Sequence, residues 1–176
     1  GNLAAGDLDG DGDAEFLGQG VFSGTYAVHH DGTLYWESPF PTARDRGERF
    51  ERTIGTAVTL ADLEGDGVPE VIVGRNVLEG RTGERRFVGD AETTTRGTNF
   101  FLGPISCVAD LDGDGFEEVV AGRTAFRSDG SVLWNQEDFG DGLCAVADLV
   151  EDRDGPEVVV VTRGYLYVLA GSDGEI

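Results

Sequence analysis

Short apolar runs recur along this chain in pairs, and each pair brackets a polar turn. A run of small residues enters the turn: Leu3-Ala4-Ala5, Ala57-Val58-Thr59-Leu60-Ala61, Cys107-Val108-Ala109 and Cys144-Ala145-Val146-Ala147. A bulkier run leaves it: Phe16-Leu17, Val71-Ile72-Val73, Val119-Val120-Ala121 and Val158-Val159-Val160-Val161. Short β-branched runs bounded by turn residues read as strands. Continuous rather than alternating Val predicts burial on both faces. No stretch sustains a 3.6-residue apolar stripe, so almost no helix is predicted. A third strand follows each pair, then a hairpin turn at Asp31-Gly32, Thr82-Gly83, Asp129-Gly130 or Asp173-Gly174. Four residues after the turn glycine stands an aromatic, Trp36, Phe87 or Trp134, and the fourth would fall at position 178, past Ile176. Small residues suit a first strand near a crowded axis, and large aromatics suit a last strand in a wider wedge between sheets.

The turns themselves repeat. Asp7-Leu8-Asp9-Gly10-Asp11-Gly12-Asp13-Ala14-Glu15 returns as Asp62-Leu63-Glu64-Gly65-Asp66-Gly67-Val68-Pro69-Glu70 and as Asp110-Leu111-Asp112-Gly113-Asp114-Gly115-Phe116-Glu117-Glu118. The first acids fall at 7, 62, 110 and 148, which gives spacings of 55, 48 and 38. These bracket the roughly 40–50 residues of one four-stranded propeller blade. The predicted fold is therefore all-β, about four four-stranded antiparallel units of one repeat domain: 1–53, 54–103, 104–141 and 142–176, the last cut short. A parallel β-helix is the rival, but its rungs are shorter and more uniform. The scatter sits in polar connections, Glu37 to Ile54 and Gly89 to Pro104, read as surface loops. A sheet edge left in mid-blade is exposed, so the units are expected to belong to a larger ring or to be completed by another chain.

Each loop puts carboxylates at positions 1, 3, 5 and 9 with Gly at 6. Alternate oxygen-bearing residues, a forced turn and a closing acid are what a hard cation needs from one short segment. An EF-hand requires an acid at position 12 and flanking helices, whereas position 12 here is Gly18, Val73 or Ala121 between strands. The alternative is a metal-free turn held by Asx-type hydrogen bonds, against which stands the repulsion of four clustered carboxylates.

Ala109 to Gly115 followed by Glu118-Val119-Val120-Ala121-Gly122, with its equivalents in the first two repeats, resembles the FG-GAP or VCBS-type repeat shared with the integrin alpha-subunit propeller. The resemblance implies a Ca²⁺ ion on the side chains at 1, 3, 5 and 9 and the backbone carbonyl at 7. Carried over, the ligands are Asp7, Asp9, Asp11, Asp13 (carbonyl) and Glu15; Asp62, Glu64, Asp66, Val68 (carbonyl) and Glu70; Asp110, Asp112, Asp114, Phe116 (carbonyl) and Glu118. That family usually closes the loop with Asp, and Glu here is longer. The fourth loop, Asp148 to Glu157, is one residue longer and lacks an acid at position 3. Either Asp148, Asp152, Asp154 and Glu157 hold a fourth ion, or Arg153 pairs with Asp152 or Asp154 and replaces it.

Charge narrows the function. A formal −21 argues against nucleic acid, which calls for a basic face. Three filled loops bring six positive charges and move −21 to −15. No apolar run reaches membrane-spanning length. No signal peptide is present and the chain starts at Gly1 rather than Met, which suggests a processed product or a piece of a longer protein. Cys107 and Cys144 fit no zinc spacing. Two buried free thiols are the ordinary reading, and a disulfide across neighbouring strands is the other. His29 and His30 are adjacent, so they point to opposite faces and read as ordinary strand residues. Arg44, Arg46, Arg49 and Arg52, interleaved with acids, suit an acidic polysaccharide or a partner's carboxylates, but a solvated loop with local ion pairs is favoured.

These features lead to an extracellular or cell-surface calcium-binding propeller, or a section of one, with structural, adhesive or ligand-binding work and no enzymatic activity. Its partner would be a protein or polysaccharide at the cell surface, or a second copy joined through the last blade. One alternative is the propeller of a polysaccharide lyase, whose loops Asp152-Arg153-Asp154-Gly155-Pro156-Glu157 is similar to. With Lys absent, its base would be Arg123, Arg163, Tyr165 or Tyr167. Another is the subunit of a calcium-dependent surface fibre.

Overall fold

A computed structural model of the chain describes residues 3–19, 24–39, 57–89, 98–99 and 103–176. The arginine cluster at 44–52 lies outside the described residues. Among the described residues every element is a strand. The first sheet holds β1 (Leu3–Gly6), β2 (Glu15–Gln19), β3 (Thr25–Val28) and β4 (Leu34–Ser38). The second holds β5 (Thr59–Ala61), β6 (Glu70–Val73), β7 (Asn76–Leu78) and β8 (Arg85–Val88). A two-residue pair, β9 (Thr98–Asn99) and β10 (Gly103–Pro104), lies in a connection read from sequence as a surface loop. The third sheet holds β11 (Ser106–Ala109), β12 (Glu118–Ala121), β13 (Thr124–Phe126) and β14 (Val132–Asn135). The last holds β15 (Leu143–Ala147), β16 (Glu157–Thr162) and β17 (Tyr165–Ala170). Each sheet is an antiparallel meander in chain order, as a propeller blade is, and among the described residues the sheets do not close a ring.

The first strands sit side by side from sheet to sheet, β1 by β5, β5 by β11 and β11 by β15. This is the crowded line that their small residues anticipate. There the structure corrects the expectation of free thiols: Cys107 and Cys144 are joined, with Cα atoms 6.0 Å apart. Their registers, opposite Val120 and Val160, turn both toward the space between the third and fourth sheets.

The apolar core lies between sheets rather than within one. Leu17, Trp36, Val71, Val73 and Leu78 fill the first interface. Ile72, Val77 and Val119 fill the second, and Val120, Trp134, Val158 and Val160 the third. The second strands of the two middle sheets are buried on both faces, as continuous Val requires. Leu8, Leu63 and Leu111, the second residues of their loops, plug the same interfaces.

The aromatics occupy the wedge. Trp36 donates its indole N–H to the Gly80 carbonyl at 2.8 Å, and Trp134 donates to Gly171 at 2.6 Å. Each ring also lies against the hairpin glycine of the next sheet. A Cβ on Gly83, Gly130 or Gly174 would come within 2.5, 2.7 or 2.8 Å of Trp36, Phe87 or Trp134, and all three glycines have positive φ. At Gly32, the equivalent glycine of the first sheet, a Cβ would meet nothing within 4 Å.

The outward faces of the first and last sheets are apolar and exposed. Phe16 is 47% exposed where its repeat equivalents Val71, Val119 and Val158 are fully buried. Leu3 and Leu34 accompany it on the first sheet, and Val161 and Leu166 are exposed on the last.

Candidate metal centres

Each loop begins with an aspartate whose carboxylate collects backbone N–H groups. Asp7 accepts from Gly10 at 2.7 Å and Gly12 at 3.0 Å, and Asp110 accepts from Gly113 at 2.7 Å and Gly115 at 3.1 Å. Asp62 accepts from Asp66 at 3.0 Å and Gly67 at 2.7 Å. The N–H donors, Gly10 first, hold the Asp7 carboxyl below its ordinary range. Glycines at positions 4 and 6 adopt positive φ in all three loops, a backbone conformation that glycine takes without strain. Position 5 accepts from the N–H of position 7 at 2.8 Å in each case: Asp11 from Asp13, Asp66 from Val68, Asp114 from Phe116. The Asx-type bonds expected of a bare turn are therefore present, and they leave carboxylate oxygens over.

The closing glutamate explains why position 9 is not aspartate. Glu15, Glu70, Glu118 and Glu157 are buried beneath their loops. Each uses Oε2 to accept the N–H of the position-2 leucine: Leu8 at 2.9 Å, Leu63 at 2.9 Å, Leu111 at 2.8 Å and Leu149 at 2.7 Å. The extra methylene spans the loop, and the other oxygen, Oε1, is left out of that bond.

The loops differ in what meets Oε1. In the third and fourth loops it has no hydrogen-bond partner, and in the third Glu118 joins Asp110 and Asp112 with ligand oxygens within 4.8 Å of one another. Burial, with Asp112, Asp114 and Asp110 close by, pushes the Glu118 carboxyl up to about 7. An orphaned buried acceptor costs about 1–3 kcal/mol, and a divalent cation would satisfy it. The residues present therefore fit a hard cation at this corner.

In the first loop Glu15 Oε1 lies 3.2 Å from Nδ1 of His29, and two groups converge there: Asp7 with Asp9 and Asp11, and Asp9 with Glu15 and His29. In the second loop Arg86 donates to Glu70 Oε1 at 3.2 Å and is also paired with Glu64, two carboxylates assigned to the ion. Burial raises the Glu70 carboxyl, and Arg86 works against that rise. An open cavity of about 560 Å³ lies there, lined by Glu64, Asp66, Glu70, Glu79, Arg81 and Arg86 among others. In the fourth loop Arg153 does stand by a carboxylate, but it is Glu157 at 4.0 Å rather than Asp152 or Asp154. Among the described residues no group of three ligand atoms converges at the second loop, or around Asp148, Asp152 and Asp154 at the fourth.

Sequence reasoning missed the bases. His29 and Arg127, which lies 3.9 Å from Asp112, both stand three residues before their hairpin glycines. That shared offset was a signal available in the repeat. Where the same offset holds glycine, at Gly80 and Gly171, the carbonyl receives an indole instead.

Sheets of this order, stacked about a line of small residues and cornered by carboxylate loops, define the class: an all-β protein of propeller-like blades. No family model and no curated protein matches the chain. Among solved structures it is similar to the V. cholerae biofilm matrix protein Bap1, at 27% identity and a TM-score of 0.74, over 98% of this chain and 27% of that one. It is also similar to the rhamnogalacturonan lyase YesW, at 18% identity and a TM-score of 0.50, over 99% of this chain and 49% of that one. The exotype rhamnogalacturonan lyase YesX stands at 20% and 0.49, over 99% and 48%. The chain thus spans about a quarter of the matrix protein and about half of the lyases.

Proposed function

We propose that this chain is a calcium-stabilised, propeller-type section of an extracellular protein with adhesive or matrix-forming work. The observation that carries the reading is the third corner, where a buried glutamate that keeps one oxygen unpaired converges with two aspartates. Bound there, Ca²⁺ would supply the positive charge that lets three carboxylates converge. Asp110, Asp112, Asp114 and Glu118 would hold it with the Phe116 carbonyl. The chain's own part is mechanical: the position-1 aspartate and position-9 glutamate fasten the loop, so the two strands leave it at a fixed angle. Likeness to a matrix protein and the Cys107–Cys144 bond, which belongs to oxidising compartments, support an extracellular setting. Extracellular sites as weak as ~10⁻⁴–10⁻³ M are still filled.

Calorimetric titration of chelator-treated protein with Ca²⁺ tests this. Saturable binding abolished at one site by Asp112→Ala supports the reading, and the absence of any saturable heat sinks it.

A second reading, assembly with other sheets, is favoured by the exposed apolar end faces. Light scattering on the purified chain should show self-association that Phe16→Asp or Val161→Asp reduces, and a monomer unaffected by either change counts against it. A lyase gains no such support. Arg123, Arg163 and Tyr165 lie at the strand ends away from the carboxylate corners, while Tyr167 stacks on Phe139 in mid-sheet.

A further inference from the structure

We infer that the first corner is a mixed imidazole–carboxylate site that takes a transition divalent cation, Zn²⁺ in the test below, through His29, Glu15 and Asp9. The inference rests on the reading of these corners as metal sites and departs from it in the kind of metal.

The third corner is the control, because the two loops share their acids at positions 1, 3, 5 and 9. In the third, Glu118 groups with Asp110 and Asp112, an all-oxygen set suited to a hard cation. In the first, Oε1 of Glu15 meets Nδ1 of His29 at 3.2 Å, and the set that includes Glu15 is Asp9, Glu15 and His29. Three residues before the hairpin glycine, His29 stands where the third unit has Arg127. A guanidinium cannot ligate a metal, whereas a neutral imidazole can, and it favours zinc and its neighbours over calcium.

The imidazole is held for this role. The His29 backbone N–H donates to the Thr33 carbonyl at 2.8 Å, and the His29 backbone carbonyl accepts from the Gly32 N–H at 2.9 Å, which fixes the chain that carries the ring. Its ring packs on Tyr35 with centroids 4.4 Å apart. Glu15 is fully buried and tied to the Leu8 N–H, so its free oxygen has little freedom to turn away. The His29 side chain is 30% exposed, which leaves room for water as a fourth ligand. His30 takes no part, since its Nδ1 lies 3.6 Å from Asp13 instead.

The test titrates the chelator-treated chain with Zn²⁺ by calorimetry and with Co²⁺ by visible absorption. The expected result is one equivalent bound, weakened at least about 10-fold in His29→Gln and unchanged in His30→Gln. Imidazole ¹⁵N spectra of the unaltered protein, which need no variant to fold, should shift His29 Nδ1 on Zn²⁺ addition and leave His30 in place. Equal Zn²⁺ affinity in His29→Gln, or an unmoved His29 resonance, overturns the inference. Zn²⁺ binding through His29 without Ca²⁺ binding anywhere would keep this site and remove the calcium reading; Ca²⁺ binding with an inert His29 would do the reverse.

Discussion

Glu118→Gln isolates one corner with little change of shape. The amide keeps an oxygen to accept the Leu111 N–H, now made at 2.8 Å, but it removes the buried charge that a cation would meet. Without Ca²⁺ the variant should be as stable as the parent or more so, because it no longer holds a carboxylate that burial pushes up to about 7. With Ca²⁺ the order should reverse. A site of about 10⁻⁴ M affinity in about 1 mM Ca²⁺ stabilises the native state by RT ln(1 + [L]/Kd), about 1.4 kcal/mol. For a chain of this size that amounts to roughly 3–6 °C in melting temperature. Calorimetric melts of both proteins, in chelator and in Ca²⁺, should therefore differ in their Ca²⁺-induced shift by that amount. Equal shifts in parent and variant would refute the assignment of Glu118, and a parent with no shift would refute structural calcium altogether.

Three further outcomes follow from the packing. Trp134→Phe keeps the ring but strips the buried Gly171 carbonyl of its donor, so urea unfolding should show a loss of about 1–2 kcal/mol. An undiminished midpoint would mean the indole bond contributes nothing. Reducing the Cys107–Cys144 bond, which closes a sequence separation of 37, should cost about 4 kcal/mol on the chain-entropy account, read as a lower urea midpoint in dithiothreitol. Asp31 and Asp129 titrate below the usual 3.8 because the hydroxyl and backbone N–H of Thr33 and Ser131 donate to them. A depressed carboxyl contributes stability above its unfolded pKa that is lost as pH falls through the folded value. Asp129→Asn should thus flatten the loss of stability below about pH 4, and an unchanged acid limb would rule the turn out.

The fold was legible because its information is local and repeated. Paired apolar runs, a hairpin glycine and an aromatic four residues later each state one blade, and three successive copies agree. Trp36, Phe87 and Trp134 were placeable in the wedge from that spacing alone, and the next sheet's glycine is where they came to rest. The disulfide was not legible in the same way. Cys107 and Cys144 lie on different units, and only the lateral meeting of first strands brings them together.

The loops show the limit more sharply. Their spelling made the first three corners alike, yet the second is paired through Arg86 and the first is turned by His29. Both bases arrive from the outer half of the sheet, where the sequence marks His29 only as an ordinary strand residue and Arg86 not at all. A carboxylate cluster in a low-dielectric corner must be neutralised by something, and a repeat supplies as many candidates as it has outer strands. Where an arginine bonds the closing glutamate, as Arg86 does Glu70, it competes with the cation for the same oxygen; where the base is histidine it can join the ligands. The nine-residue motif therefore specifies a corner that needs positive charge, while the outer strand decides whether that charge is an ion, a guanidinium or an ion held by an imidazole.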